Sequence, residues 1–193
     1  MSVWPKYLTP QEISEIVEDT RAKYGILADI PVDIEAFAEC DLRIDIIPVA
    51  GLRGRIKADA EITQDFKSIL VDLEYFQNDK MHCRNRFSIA HELGHLFLHR
   101  DFFLQNFHSD NVEGWLHCQV AIDDIAFHRL EWQANMFASL MLMPGENVIK
   151  AVLSTLTTSL TGLARMFDVS QKAMERRLSA DDVSSKLTKH YRL

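Results

Sequence analysis

The sequence predicts an α+β protein, with a small sheet in its first half and helices in its second. Three observations carry this reading. Leu42, Ile44 and Ile46 alternate with Arg43 and Asp45, the period of a half-buried strand. SILVDL, 68–73, is a short continuous apolar run rich in β-branched residues. From about Asn85 to the C-terminus the apolar residues recur at helical spacing.

Each element has its own signal. Thr9, Pro10, Gln11 and Glu12 read as a capping box with Pro at the first helical position. Ile13, Ile16 and Val17 then form an apolar helical face, and Gly25 is the expected stop. A short helix is expected around Asp33 to Cys40, after Pro31. The strand at 42–46 follows. GLRGRI, 51–56, reads as a turn entering a second strand, and SILVDL is the third. The main break in the helical half is 101–124, a polar stretch containing SDN, EG and DD, read as a long loop with some structure of its own. No internal repeat is visible and no Gly/Pro/Ser linker splits the chain.

Composition narrows the function classes. A chain of 193 residues can bury one sizeable core, or a main domain with a small appendage. A formal net charge of −7 argues against general coating of nucleic acid. From Arg165 onward, seven Lys/Arg face four acids, a mild local reversal that reads as a solvated surface. Cys40, Cys83 and Cys118 are widely spaced and not in CxxC pairs, so neither a disulfide framework nor a cysteine zinc site is expected. The start, MSVWPKYLTP, lacks a charged segment followed by an apolar one, and no apolar run approaches a membrane span. A cytoplasmic protein without membrane contact is expected.

RFSIAHELGHLFLHR, 86–100, is the most informative stretch. A helix turns about 100° per residue, so His91 and His95 lie on one face, about 6 Å apart along the axis. Both imidazoles can aim at one point, and a zinc ion takes histidine nitrogens at about 2.0–2.1 Å. Glu92 points to the side of such an ion, placed to take a proton from the attacking water rather than to bind metal. His99 is about 12 Å along the axis from His91, too far to share one ion, and is read as a pocket or packing residue. Ala90 and Gly94 are small at i, i+4 and would let a neighbouring element approach closely. Read only as a core helix, the segment would need two hydrogen-bonded histidines at this spacing beside a glutamate by coincidence.

A catalytic zinc site needs a third protein ligand and an open position. His108, Asp110, Glu113, His117, Asp123, Asp124, His128 and Glu131 all lie downstream. Glu131 stands out. LEWQANMFASLMLMP, 130–144, places Leu130, Ala134, Phe137 and Met141 on one helical face and ends at Met143-Pro144. A carboxylate on a largely buried helix is costly unless paired or metal-bound. Asn135 is i+4 from Glu131 and can hold a histidine or a backbone group behind the ligands. Exposed near the helix start, Glu131 would instead simply suit the dipole.

RFSIAHELGH, followed by ExxAN-x-FA and LMLMP, resembles the ImmA/IrrE family of metallo-endopeptidases of bacteria and their mobile elements. The resemblance extends to PVDIEAFAE, the strand near SILVD and LARMFDVSQKAMERRL. HExxH alone is shared by many zinc peptidases; its combination with ExxAN is specific. The resemblance implies a zincin-like core over 1–145, comprising the small sheet and the HExxH helix. It also implies C-terminal helices over 146–193, including a helix-turn-helix-like hairpin packed on the same domain. Carried over by position, it makes His91, His95 and Glu131 ligands of one zinc ion and Glu92 the catalytic base. Two histidines and a carboxylate suit zinc in a peptidase. Family members often carry an acidic residue where Gln133 stands. Gln133 is two past Glu131 and points elsewhere on the helix, so little effect on zinc is expected.

The implied activity is hydrolysis of a specific peptide bond in a protein substrate, a helix-turn-helix repressor whose cleavage relieves repression. The substrate peptide is expected along the sheet edge, with SILVD the chosen strand. Tyr75, His99, Arg84 and Arg86 are the candidates for stabilising the oxyanion. The alternative is a regulatory protein on the same scaffold that binds DNA or a transcription factor with little proteolysis. Its DNA contacts would come from Lys172, Arg176 and Arg177, in the hairpin where Ser170 caps a second helix.

Overall fold

The computed structural model describes residues 5–106, 124–154 and 159–191. It is mostly helical, with one three-stranded sheet in the first half.

Helix α1 (Pro10–Lys23) starts at the expected capping box. The Thr9 side chain accepts from the Glu12 N–H, and Glu12 accepts from the Thr9 N–H. Gly25 follows its end at φ +71°, a left-handed conformation that glycine adopts without strain. Asp33 caps α2 (Ile34–Ala36), which continues as a π turn over Phe37–Asp41.

Strand β1 is Asp45–Val49, displaced three residues from the expected 42–46. Arg43 sits at φ +59°, so the extended chain cannot begin before it. GLRGRI is also corrected: Leu52–Ile56 forms a short helix, α3, before β2 (Ala60–Ile62). Strand β3 (Ser68–Asp72) coincides with the apolar run. It is the central strand, parallel to β1 and antiparallel to β2. SILVD therefore has both sides engaged, and the expectation of a peptide docked along it does not hold. Pro48 in β1 suits an edge strand, where a missing N–H costs no ladder bond.

Helix α4 (Leu73–Phe76) is capped by Asp72 and leads through a 3₁₀ turn (Asp79–Met81) to α5 (His82–Asn106). Helices α6 (Asp124–Leu142), α7 (Gly145–Ser154), α8 (Leu160–Met166), α9 (Gln171–Leu178) and α10 (Asp181–Tyr191) complete the described chain. The expected long loop begins later than position 101, because α5 runs on to Asn106; the stretch 107–123 lies outside the described residues.

Helix α5 packs along α6 on one side and against β2 and β3 on another. Ile89 and Leu93 of α5, Leu130 and Phe137 of α6, Ile69 of β3 and Ile13 of α1 are all fully buried in one cluster. Each such side chain contributes about 1.5–3 kcal/mol on leaving water. Gly94 is what brings α5 and α6 together. A Cβ placed there would lie 2.9 Å from the Ala134 Cα and 3.0 Å from its carbonyl oxygen.

Two buried arginines finish the C-terminal end of α6, where the last carbonyls have no helical partner. Arg21 donates to the Met141 carbonyl (2.8 Å), and Arg177 donates through Nε to the Met143 carbonyl (2.8 Å). The Arg177 guanidinium also meets both Asp182 oxygens, at 2.7 and 2.6 Å. This fork ties α9 and α10 to the end of the helix that carries Glu131. Arg177 is therefore a packing residue, 3% exposed, and not available to a phosphate; Lys172 and Arg176 are exposed. Arg177→Ala is expected to cost about 2 kcal/mol by urea denaturation, the worth of hydrogen bonds to a charged group. Arg176→Ala should stay within about 0.5 kcal/mol of wild type. Equal stability of the two variants would contradict this role.

Among the described residues, no single helix is long and apolar enough to cross a membrane. Cys40 and Cys83 are free thiols.

Candidate metal centre

The third and fourth turns of α5 (His82–Asn106) present His91, Glu92 and His95, and the third and fourth turns of α6 (Asp124–Leu142) present Glu131 and Asn135. The close α5–α6 packing at Gly94 sets these two groups face to face. His91 Nε2 and His95 Nε2 are 3.0 Å apart. Glu131 places one carboxylate oxygen 3.4 Å from His91 Nε2 and the other 3.3 Å from His95 Nε2. Among the described residues, these three form the group of His, Cys, Asp or Glu side chains arranged to hold a metal ion.

The donor set fits the ion that the sequence predicts. Two ligands at about 2.0–2.1 Å in a tetrahedral arrangement stand about 3.3 Å apart, close to all three separations. The electrostatics agree. Burial opposes charge on Glu131, but hydrogen bonds and charge from His91 and His95 outweigh it and hold the carboxyl well below its usual range. Burial likewise opposes protonation of His91, yet Glu131 and Glu92 raise it above the usual imidazole value. Excess negative charge at this point thus attracts a positive one, whether a proton or a metal ion.

His91 Nδ1 is 3.2 Å from the Asn135 side-chain oxygen, so Asn135 stands behind the ring. His95 is fully buried, and burial brings its pKa down to about 4. Of the other downstream candidates, His108, Asp110, Glu113, His117 and Asp123 lie outside the described residues, as does Cys118. His128 is engaged with the Asp124 carbonyl on the exposed first turn of α6.

Glu92 is 4% exposed and accepts a hydrogen bond from the Ile62 N–H of β2 (2.9 Å). Burial lifts its pKa to about 7, against the opposing pull of His91 and the Ile62 N–H. A carboxyl whose folded pKa exceeds its usual value binds its proton more tightly when folded. The resulting stability is complete below about pH 4.5 and is lost as pH rises to about 7. In metal-free protein this amounts to about 3 kcal/mol. Buried His95 and His99 run the opposite way over part of that window, so the comparison must be with Glu92→Gln. Urea denaturation of metal-free protein at pH 5 and pH 8 should show the variant gaining on wild type at pH 8. A difference independent of pH would contradict the assignment.

The oxyanion candidates separate. Arg86 is buried and donates to the carbonyls of Val32 and Asp168. His99 is 1% exposed, with both ring nitrogens engaged. Neither is free to meet a substrate. Arg84 pairs with Asp59 and lies over the Tyr75 ring, but Arg84 is exposed and Tyr75 half-buried, so these two stay candidates. Two features escape inspection of the motif alone. One is the Ile62 contact, which depends on the sheet. The other is His99 with Gln133, signalled in the sequence by a histidine four past His95 and by a polar residue on a buried helix.

Fold and site together define a mixed α+β protein with a two-histidine, one-carboxylate candidate metal centre held between two helices. The chain belongs to the ImmA/IrrE family of metallopeptidases: the family model described as the IrrE N-terminal-like domain matches residues 75–179. That span contains every residue of the candidate centre. Among solved structures, the chain is similar to a Mycobacterium tuberculosis transcriptional regulator, with a TM-score of 0.60 and 18% identity. The match covers 90% of this chain and 48% of that one, so the chain spans about half the regulator's length. At this identity the likeness concerns the fold. No curated protein matches.

Proposed function

We propose that this chain is a zinc-dependent endopeptidase of the cytoplasm that cleaves a specific bond in a protein substrate, a helix-turn-helix repressor, and so relieves repression. One observation carries the reading: three metal-competent side chains converge at one point, with a buried carboxylate next to them that is not a member of the group. In this reading residues 1–145 form a zincin-like peptidase domain, and 146–193 pack on it.

His91, His95 and Glu131 would hold the ion, and Asn135 would hold the His91 ring. Bound zinc would supply Lewis acidity, easing deprotonation of the attacking water and polarising the scissile carbonyl. Glu92 takes the water proton and delivers it to the departing amine. The Ile62 N–H keeps that carboxylate beside β2. Strand β2 pairs with β3 on one side only among the described residues. A substrate backbone laid along its other side would reach Glu92, in place of the central SILVD strand.

The test compares protein N-termini by mass spectrometry in host cells expressing wild type or Glu92→Gln, under an inducing stress. A new terminus in a repressor, seen only with wild type, is the expected result. Identical termini, with both proteins folded and metal-loaded, would refute the peptidase reading.

A further inference from the structure

Behind His95 lies a buried chain of polar groups that the proposed chemistry does not use. His95 Nδ1 is 3.0 Å from His99 Nδ1. His99 Nε2 is 2.9 Å from the Gln133 side-chain oxygen. The Gln133 side-chain nitrogen donates to the Lys6 carbonyl at 3.2 Å. Gln133 is fully buried and His99 nearly so, which leaves water no part in setting their hydrogens.

The protons along this chain can be placed one by one. A backbone carbonyl only accepts, so the Lys6 oxygen must face the Gln133 NH₂ group. The Gln133 oxygen then faces His99, and His99 must present Nε2–H to it. A neutral imidazole carries one proton, so His99 Nδ1 is left as an acceptor. The 3.0 Å contact between the two Nδ1 atoms needs one proton, which must come from His95. His95 is thereby held as the Nδ1–H tautomer, with the lone pair of Nε2 directed at His91 and Glu131.

We infer that His99 and Gln133 are positioning residues for the metal, acting with the Lys6 carbonyl as a one-way hydrogen-bond chain that presets His95 in its metal-binding tautomer. The inference rests on the proposed metal-binding role of His91, His95 and Glu131. It revises the sequence expectation that Gln133 matters little to zinc. Gln133 does point away from Glu131, but toward the back of the neighbouring ligand. A neutral amide at this position orients His99 without adding a charge behind the site. The N-terminal segment is built into the same device, because Lys6 supplies the terminal acceptor and Leu8, two residues on, is buried in the core.

Two measurements test this. Long-range proton–nitrogen NMR spectra of the histidine rings in zinc-loaded wild type should report Nδ1–H for His95 and Nε2–H for His99. Zinc affinity, read by competition with a chromophoric chelator, should fall about 10- to 100-fold in Gln133→Met, as for other groups behind metal ligands. In that variant the His99 proton should no longer be confined to Nε2, a signature that loss of packing alone would not produce. A wild-type spectrum with His99 protonated at Nδ1 would overturn the chain of donors. So would a folded Gln133→Met with unchanged affinity and tautomers. The wild-type spectrum decides the matter even where the variant fails to fold. Failure of wild type to bind zinc at all would instead remove the metal reading itself.

Discussion

Glu92→Gln should keep its zinc and lose cleavage of the substrate by about 10²- to 10⁴-fold, the usual worth of a general base. The substitution preserves the shape of a side chain that is 4% exposed, and the amide can still turn an oxygen toward the Ile62 N–H at 2.9 Å. It removes the ability to accept a proton. Glu92 is not one of the three converging ligand groups, so the metal content of the variant should equal that of wild type. The measurement pairs zinc quantification with the rate of cleavage of the substrate named by the N-terminal comparison. Full activity would remove Glu92 from the base role. Loss of zinc together with activity would make Glu92 part of the metal centre.

Gly94→Ala should destabilise the protein by about 1–3 kcal/mol, lowering Tm by about 2–10 °C, and should weaken zinc binding as well. Elsewhere in an exposed helix, this change gains about 1 kcal/mol from helix propensity. Here the new Cβ meets the Ala134 Cα at 2.9 Å, the Ala134 oxygen at 3.0 Å and the Phe137 Cβ at 3.2 Å. Two of those atoms are backbone and cannot turn aside, so α6 must move as a unit. Glu131, about one turn before Ala134, and Asn135, next to it, ride on α6 and move with it. Gly54→Ala is the control: it is also helical, but a Cβ there meets nothing within 4 Å. Thermal denaturation and chelator competition on both variants would separate the two sites. Wild-type Tm and affinity in Gly94→Ala would show that the α5–α6 spacing does not hold the centre together.

The hairpin at the end of the chain gives a second view of how packing assigns roles. Ser170 caps α9 by accepting from the Ala173 N–H, as its sequence suggested. Yet two adjacent arginines in α9 have opposite fates. Arg176 faces solvent, while Arg177 is turned inward onto the Met143 carbonyl and Asp182. A DNA contact built on both residues would have to break the tie that holds α9 and α10 to α6.

Short-range physics was readable from the residues alone. The capping box at Thr9, the stop at Gly25, the β3 run and the His91–His95 spacing all depend on neighbours within a few positions, where backbone geometry is nearly fixed. The close approach at Gly94 was also legible, because a small residue on an apolar helix marks where another backbone fits. The placement of β1 was less so: alternation shows a strand but not that Arg43 takes a left-handed turn before it. What tertiary packing alone decided lies between distant segments. It put β3 in the middle of the sheet, brought the Ile62 N–H to Glu92 and set Glu131 opposite both histidines. It also joined His99 to Gln133 and Gln133 to Lys6, contacts spanning 34 and 127 positions. Such pairings obey no local period. They arise because a polar group that is buried must find its partner among whatever the packed core brings within reach.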